Sequence, residues 1–340
     1  MSANVARMLE VGSNENATIL LEWHQVYNTI YRAKIDYATL IEDQSTEIDP
    51  YFPCATRLIN FVRWAVEKHP ANHYCLILAG HGFGVFNPII EPKPGPLLNQ
   101  TENTHLRNDE LATALHTIAT DLLPGNKLDI LGMDACSMAM LEVCHLAEPY
   151  VNIFVGSEEI ERYPGWHYYS FLKKLTEQPL SPAELATAIV SSFKIFHQSH
   201  TTLFTLSAID LGKLATVVGL FCDIVPRLLN PEIFSVLTTA RGRCQQFLIS
   251  DFIDMYSWYE ELGRQAEALP EGVGVLVDES LLALRNCVIA NTTGPYHTRA
   301  HGISLYFPLD LIDRSYLSSS FCQATGWDLF LQQQRLWCSP

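Results

Sequence analysis

Two apolar runs, each stopping at a tight turn that carries one reactive side chain, constrain this chain more than any other feature. In Tyr74-Cys-Leu-Ile-Leu-Ala-Gly-His-Gly-Phe-Gly84 a strand-like run ends with His81 held between Gly80 and Gly82. In Lys127-Leu-Asp-Ile-Leu-Gly-Met-Asp-Ala-Cys-Ser-Met-Ala-Met-Leu-Glu-Val143, residues 128–133 form an apolar run after the turn residues Pro124-Gly125-Asn126, and Met138, Leu141 and Leu146 then recur at helical spacing. Strand-helix-strand order favours parallel strands in one sheet, which brings His81 and Cys136 out at one edge. Ligands and chemistry collect at that edge.

Alone, a cysteine between a strand and a helix reads as a small buried hydrophobe. With a histidine at the same edge it reads as a nucleophile whose proton has somewhere to go. The spacing predicts that Cys136 falls at or near the first turn of a helix, where unpaired amide hydrogens and the helix dipole stabilise a thiolate. The glycines around His81 expose backbone amides, so the N–H groups of Gly82 and Cys136 are candidates to cradle an oxyanion.

The rest of the chain reads as mixed α/β. Strands are expected at 16–23, 34–41, 74–79, 128–133, 151–156, 203–209, 287–290 and 302–307. Helices are expected at 55–68, 109–122, 137–147, 211–229, 233–248 and 252–268, and at 181–197, which Ser181-Pro182 opens. Between the two turns, Asn87-Pro-Ile-Ile-Glu-Pro-Lys-Pro-Gly-Pro96 is too rich in proline for a helix or central strand and reads as a loop beside the site. Gly80-His-Gly-Phe-Gly84 has the look of a dinucleotide fingerprint, but a helix must follow such a motif at once and Pro88, Pro92 and Pro94 forbid it. His197-Gln-Ser-His200 and His297-Thr-Arg-Ala-His301 have zinc-like spacing without a matching cysteine or carboxylate pair, so they read as solvated or capping histidines and no metal is assigned.

Composition enters where it excludes classes. A formal charge of −15 argues against nucleic acid as partner and favours basic substrates. No stretch approaches the ~18 apolar residues of a membrane span, and the first 23 residues lack the layout of a signal peptide. Nine cysteines, an odd number with several inside apolar patterns, fit reduced thiols in the cytoplasm. A 340-residue chain that is 48% hydrophobic has material for a sizeable core, read here as one domain over 1–340.

The two motifs together resemble the clostripain family of cysteine peptidases, relatives of caspases and gingipains. Asn60-Phe-Val-Arg-Trp-Ala-Val-Glu-Lys-His-Pro-Ala-Asn-His-Tyr74, Ser157-Glu-Glu159, Gly165-Trp-His-Tyr168, Leu206-Ser-Ala-Ile-Asp-Leu211, Ile253-Asp-Met-Tyr256 and Gly302-Ile-Ser-Leu-Tyr-Phe-Pro308 also resemble family blocks, in order, over residues 55–335. The resemblance implies a caspase-like three-layer α/β/α sandwich around a mostly parallel sheet. Three departures stand out: residues 1–28 hold no acidic strand end, Val85-Phe86 replaces a tryptophan, and His167 sits where relatives carry an acid.

For the site, the resemblance implies a Cys136/His81 endopeptidase cutting after basic residues, with Asp134 lining the pocket for the P1 side chain. From the residues alone Asp134 is equally an N-cap for the following helix. A carboxylate there would pair with arginine in two-pronged fashion and with lysine only as a point charge, favouring arginine. Ser157, Glu158, Glu159 and His167 are further substrate-cleft candidates; Glu158-Glu159 also read as plain loop charge, or as ligands for a cation such as calcium, and the chemistry itself requires no cofactor. Relatives cut themselves between the histidine and cysteine blocks, here residues 85–108. Lys93 precedes Pro94, a poor P1′ residue, which leaves Arg107-Asn108 as the site if self-cleavage occurs; the alternative is a loop that orders on substrate binding without a cut. Two rival readings keep the same cleft: a non-catalytic caspase-like scaffold, which would not need both Cys136 and His81, and a thiol hydrolase acting on a small acyl substrate.

Overall fold

A computed structural model describes residues 3–25, 29–47, 53–86, 106–123 and 127–338. The strands are β1 (Ile19–Gln25), β2 (Thr29–Asp36), β3 (Thr39–Glu47), β4 (Cys75–Ala79), β5 (Leu128–Asp134), β6 (Val151–Gly156), β7 (Thr205–Asp210), β8 (Phe252–Asp254), β9 (Val288–Thr293) and β10 (Ser304–Tyr306). The helices are α1 (Ala3–Leu9), α2 (Cys54–Lys68), α3 (Asn108–Thr117), α4 (Leu141–Ala147), α5 (Tyr168–Glu177), α6 (Pro182–His197), α7 (Leu214–Ile224), α8 (Phe234–Arg243), α9 (Met255–Gly263), α10 (Val273–Cys287), α11 (Ser320–Thr325) and α12 (Trp327–Cys338).

Five strands make the central sheet in the order β4-β5-β6-β7-β9. The β4–β5 and β5–β6 pairs are parallel and β7 runs against both its neighbours, so four of the five strands point the same way. Helices cover both faces. On one, α2, α3, α4, α7 and α10 pack in the larger cluster around Leu131, Met133, Leu141 and Phe221. On the other, α5 and α6 bury Phe171, Ile189 and Phe193 with Ile130, Ile153 and Val155. Only a strand covered on both sides can be buried along its length, and β5 is: six of its seven residues are buried. Among the described residues, no helix is long and apolar enough to cross a membrane.

The parallel register sets the site. Ala79, the last residue of β4, pairs with Asp134, the last of β5, and Gly80 N–H donates to Asp134 O at 3.1 Å. The turns carrying His81 and Cys136 therefore leave the sheet side by side.

Several expected elements are redrawn. Instead of one strand over 34–41, β2 and β3 form a hairpin turning at Tyr37-Ala38, with Ala38 at φ 58. The helix expected from Ser137 starts only at Leu141, with Met140 before it. The expected helix 233–248 stops at Arg243, and β8 occupies the start of the expected helix 252–268. Helices α1, α5, α10, α11 and α12 had no counterpart in the sequence reading. By contrast, α6 begins as expected: Ser181 Oγ accepts from Glu184 N–H while Ser181 N–H donates to the Glu184 carboxylate at 2.8 Å, a reciprocal cap ahead of Pro182. Pro124-Gly125-Asn126 and the proline-rich segment 87–96 lie outside the described residues.

Candidate active site

Cys136 sits in a turn, not a helix. Ala135-Cys136-Ser137 reverses the chain directly after β5, and Ser137 adopts φ 56, a left-handed conformation that costs a side-chain-bearing residue about 1–2 kcal/mol. Buried hydrogen bonds hold the strained turn: Ser137 N–H donates to Glu159 O at 3.0 Å and Ala139 N–H to Ser157 O at 2.9 Å. With α4 starting five residues later, the helix-dipole argument for activating the thiol falls away. What touches the sulfur instead is the 157–165 loop, for Glu161 N–H donates to Cys136 Sγ at 3.3 Å.

The histidine turn lies against this one. A Cβ added to Gly82 would come within 2.1 Å of Cys136 O and 2.8 Å of Cys136 N, so only glycine allows the two backbones to approach as they do. Gly84, at φ 57, is likewise packed on Met140 and Phe252. The N–H groups of Gly82 and Cys136 have no backbone acceptor among the described residues, and the backbones of the two residues lie against each other. His81 is exposed, and its imidazole has no hydrogen-bond partner among the described residues.

Behind the cysteine turn a carboxyl pair is buried. Asp134 accepts from Trp166 N–H at 3.1 Å and from Tyr168 O–H at 2.9 Å. These donors reach it because Gly132 leaves room on β5 for the Trp166 ring, which would meet a Cβ there at 2.8 Å. No helix begins at Asp134, so the N-cap alternative is excluded. Burial raises the Asp134 pKa, partly opposed by hydrogen bonds from Glu161, Tyr168 and Trp166. Glu161 is raised well above the usual carboxylate range, first by burial of its carboxyl and then by the charge and contact of Asp134. Its Oε1 accepts from Trp166 Nε1–H at 3.3 Å, while its buried Oε2 has no donor among the described residues. Two such carboxyls cannot both ionise cheaply, so once one is ionised the other is harder to ionise.

A sequence model of the clostripain family of C11 peptidases matches residues 8–261, well over half of the chain. The chain belongs to the clostripain family. It is therefore a cysteine peptidase, a hydrolase. The fold agrees: a secreted C11 cysteine protease of Bacteroides thetaiotaomicron, iotapain, superposes with a TM-score of 0.71 at 16% identity, covering 95% of this chain and 93% of that one. A structure of a secreted C11 cysteine protease from the same organism, with an irreversible peptide inhibitor, gives 0.72 at 15% identity over 96% and 94%. An inactive zymogen C11 protease of Parabacteroides distasonis gives 0.65 at 14% over 95% and 91%. No curated protein matches the chain. The expected caspase-like α/β sandwich with a mostly parallel central sheet is thus the fold of this clostripain-family enzyme.

The remaining candidate residues lie where the sequence did not put them. Ser157, Glu158 and Glu159 are 0, 0 and 2% exposed, so they are not solvated loop charges, and each bonds within the fold. Ser157 Oγ meets Thr205 Oγ1 at 2.9 Å and donates to Glu159 O at 2.8 Å. Glu158 accepts from Gly302 N–H at 2.9 Å and lies against Asp254; burial and then that second acid push its pKa well up. Glu159 pairs with His297 Nε2 at 2.9 Å and accepts from Leu248 N–H at 3.1 Å. Among the described residues no three His, Cys, Asp or Glu side chains converge as metal ligands would.

His167 stands at the N-cap of α5 without a side-chain cap bond; its Nδ1 meets Ser170 Oγ at 2.7 Å and its ring stacks on Phe196 at 4.8 Å. Of the histidine pairs, His197 Nε2 meets Gly165 O at 3.0 Å and His200 Nδ1 meets Phe196 O at 2.6 Å, so both bond to main chain. Val85 is buried, and Phe86 stacks on Phe252 at 5.2 Å where a tryptophan was noted as missing. Arg107 precedes α3, with its N–H on the Glu110 carboxylate at 3.0 Å, and Asn108 Nδ2 donates to Gly84 O at 3.1 Å. The residue that sequence reading missed is Glu161, two positions past Ser157-Glu-Glu159 and offering no spacing signal of its own.

Proposed function

We propose that this clostripain-family peptidase cleaves after arginine, and less well after lysine, using Cys136 and His81. His81 takes the thiol proton and Cys136 Sγ attacks the scissile carbonyl carbon; the N–H groups of Gly82 and Cys136 stabilise the oxyanion. The tetrahedral adduct collapses, the C–N bond breaks, and protonated His81 gives its proton to the leaving amine. Water, deprotonated by His81, then attacks the thioester carbonyl, and the thiol leaves with the proton returned to it. These steps balance without a cofactor.

The basic P1 preference rests on one observation. Glu161 Oε2 is a buried carboxyl oxygen with no donor among the described residues, beside Asp134 and on the residue whose amide touches the nucleophile. An arriving guanidinium supplies the missing donors and a positive charge that favours ionisation of the pair. Self-cleavage at Arg107-Asn108 is part of the same reading, supported by the Asn108 contact with the histidine turn. We place the enzyme in the cytoplasm, a reading supported by Cys144, Cys244, Cys287 and Cys322 being buried free thiols. Fluorogenic peptides differing only at P1 test the function: arginine should exceed lysine, and both should exceed glutamine by about 100-fold in kcat/KM, the order expected from a desolvated charge partner. Equal turnover of arginine and glutamine peptides overturns the preference.

A further inference from the structure

Each of the two loops on the carboxyl side of Cys136 exposes one large apolar side chain, although its backbone is tied to the buried site. Tyr163 is 86% exposed and stands two residues beyond Glu161, whose amide is on Cys136 Sγ; the chain allows at most about 7 Å between those two Cα atoms. Leu248 is 68% exposed, yet its N–H donates to the Glu159 carboxylate at 3.1 Å, and Glu159 O in turn holds Ser137.

The segment that carries Leu248 is braced along its length. Phe247 N–H donates to Phe252 O at 3.3 Å, Phe247 packs on His297 at 5.5 Å, Gln245 N–H donates to Ser257 Oγ at 2.9 Å, and Arg241 Nη2 bonds Ser250 O. Its far end, Phe252, stacks on Phe86 of the histidine turn. The segment is thus a fixed wall running from the histidine turn to Glu159, with Leu248 at the Glu159 end.

Direction along the cleft follows from the chemistry. His81 must protonate the leaving amine, so the leaving side of the substrate lies along the histidine turn, and the P1 side chain lies over Asp134 and Glu161. Residues flanking Glu159 to Tyr163 away from His81 meet the substrate on the acyl side, next to P1. We propose that Tyr163 and Leu248 form an apolar subsite for P2, so that the substrates are extended segments with a large apolar residue immediately before the basic one. Holding two apolar side chains in water on rigid backbone gains nothing for folding; covering them with a P2 leucine or phenylalanine recovers the hydrophobic contribution on binding.

This inference rests on the basic-P1 reading, and the experiment separates the two. Peptides with arginine at P1 and leucine, phenylalanine, glycine or aspartate at P2 are assayed for cleavage by the wild-type enzyme, and their binding to Cys136→Ala is measured by fluorescence anisotropy. Leucine and phenylalanine should exceed glycine by about 10- to 100-fold in kcat/KM and bind correspondingly tighter, the range of a hydrophobic pocket. Leu248→Ser with Tyr163→Ser should shrink that ratio to within about 3-fold, since only the apolar contact is lost, with an unchanged melting temperature showing that the fold is intact. An active enzyme indifferent to P2, or a ratio that survives the double substitution, overturns the subsite. P2-dependent binding to Cys136→Ala without any cleavage by the wild type overturns the peptidase mechanism and leaves the subsite standing. Absence of both cleavage and binding overturns the subsite as well.

Discussion

The two turns that meet in the site are held in opposite ways. The cysteine turn is fixed by buried main-chain hydrogen bonds, stores a left-handed serine and has its sulfur pinned by Glu161. The histidine turn is exposed, and His81 touches no polar partner among the described residues. Under the proposed dyad, the acid and base steps become organised when substrate arrives, while the turn that carries Cys136 is held beforehand.

The sharpest test is on the rigid side. Cys136→Ala should lower arginyl-peptide turnover by roughly 10⁶-fold, and Cys136 should be the thiol alkylated first under limiting reagent. Preferential labelling of another cysteine, read by mass spectrometry, would remove it as nucleophile. On the loose side, His81→Ala should cost about 10²- to 10⁴-fold with little change in melting temperature, because a general base is lost and no packing is. A drop in thermal stability matching the loss of activity would show that the turn is braced after all.

Between the turns, Asp134→Asn should weaken transition-state binding of arginine substrates by about 2–5 kcal/mol, read as the kcat/KM ratio to glutamine. Asp134 and Glu161 both hold protons more tightly than ordinary carboxylates. Falling pH should therefore neutralise the pair early and shrink the arginine preference of the wild type before the exposed carboxylates titrate. A variant that keeps the preference yet melts several degrees lower would make Asp134 a brace for Trp166 and Tyr168.

Glu142 sharpens the stability side. It is buried on α4, accepts from Tyr306 N–H and Tyr316 O–H, and burial lifts its pKa to about 7. A carboxyl raised on folding contributes stability that is whole below its unfolded value of 4.5 and is lost as pH rises through 7. Glu142→Gln should therefore be more stable than the wild type at pH 8, by up to about 3 kcal/mol, and no more stable at pH 4. Denaturant melts at both pH values decide it.

The smallest effect concerns Arg107-Asn108. Prolonged incubation should produce a fragment starting at Asn108 in the wild type and none in Cys136→Ala. Conversion should be slow, since the bond opens α3 and both residues are engaged. A fully active, uncut wild type removes self-cleavage from the reading.

The rigid turn was partly legible in the sequence and its restraints were not. Strand ends, the shared edge and the two reactive residues follow from apolar runs and glycines, which are local signals. The late start of α4 is not local: Met138 and Leu141 keep helical spacing, but Ala139 N–H is taken by Ser157 O and Ser304 N–H by Ala139 O, bonds to residues far along the chain. The same reason hides Glu161, Glu158 and Glu159. An acidic stretch after a strand looks solvated until the fold brings Trp166, Gly302 and His297 onto it. Helix α10 offers no side-chain cap like that of Ser181: it follows Pro270-Glu271-Gly272, and the left-handed Gly272 at its N-cap reads as a turn, as does Gly326 directly ahead of α12.

The Glu159 carboxylate receives two loops that are remote in sequence, through Leu248 and His297, while its own carbonyl steadies Ser137, the residue after Cys136. Grafting a new recognition loop onto this scaffold is consequently not a modular operation. A transplanted 244–252 segment that lacks an amide positioned for Glu159 strands a carboxylate beside the Cys136 turn, so this loop and that turn have to be redesigned together.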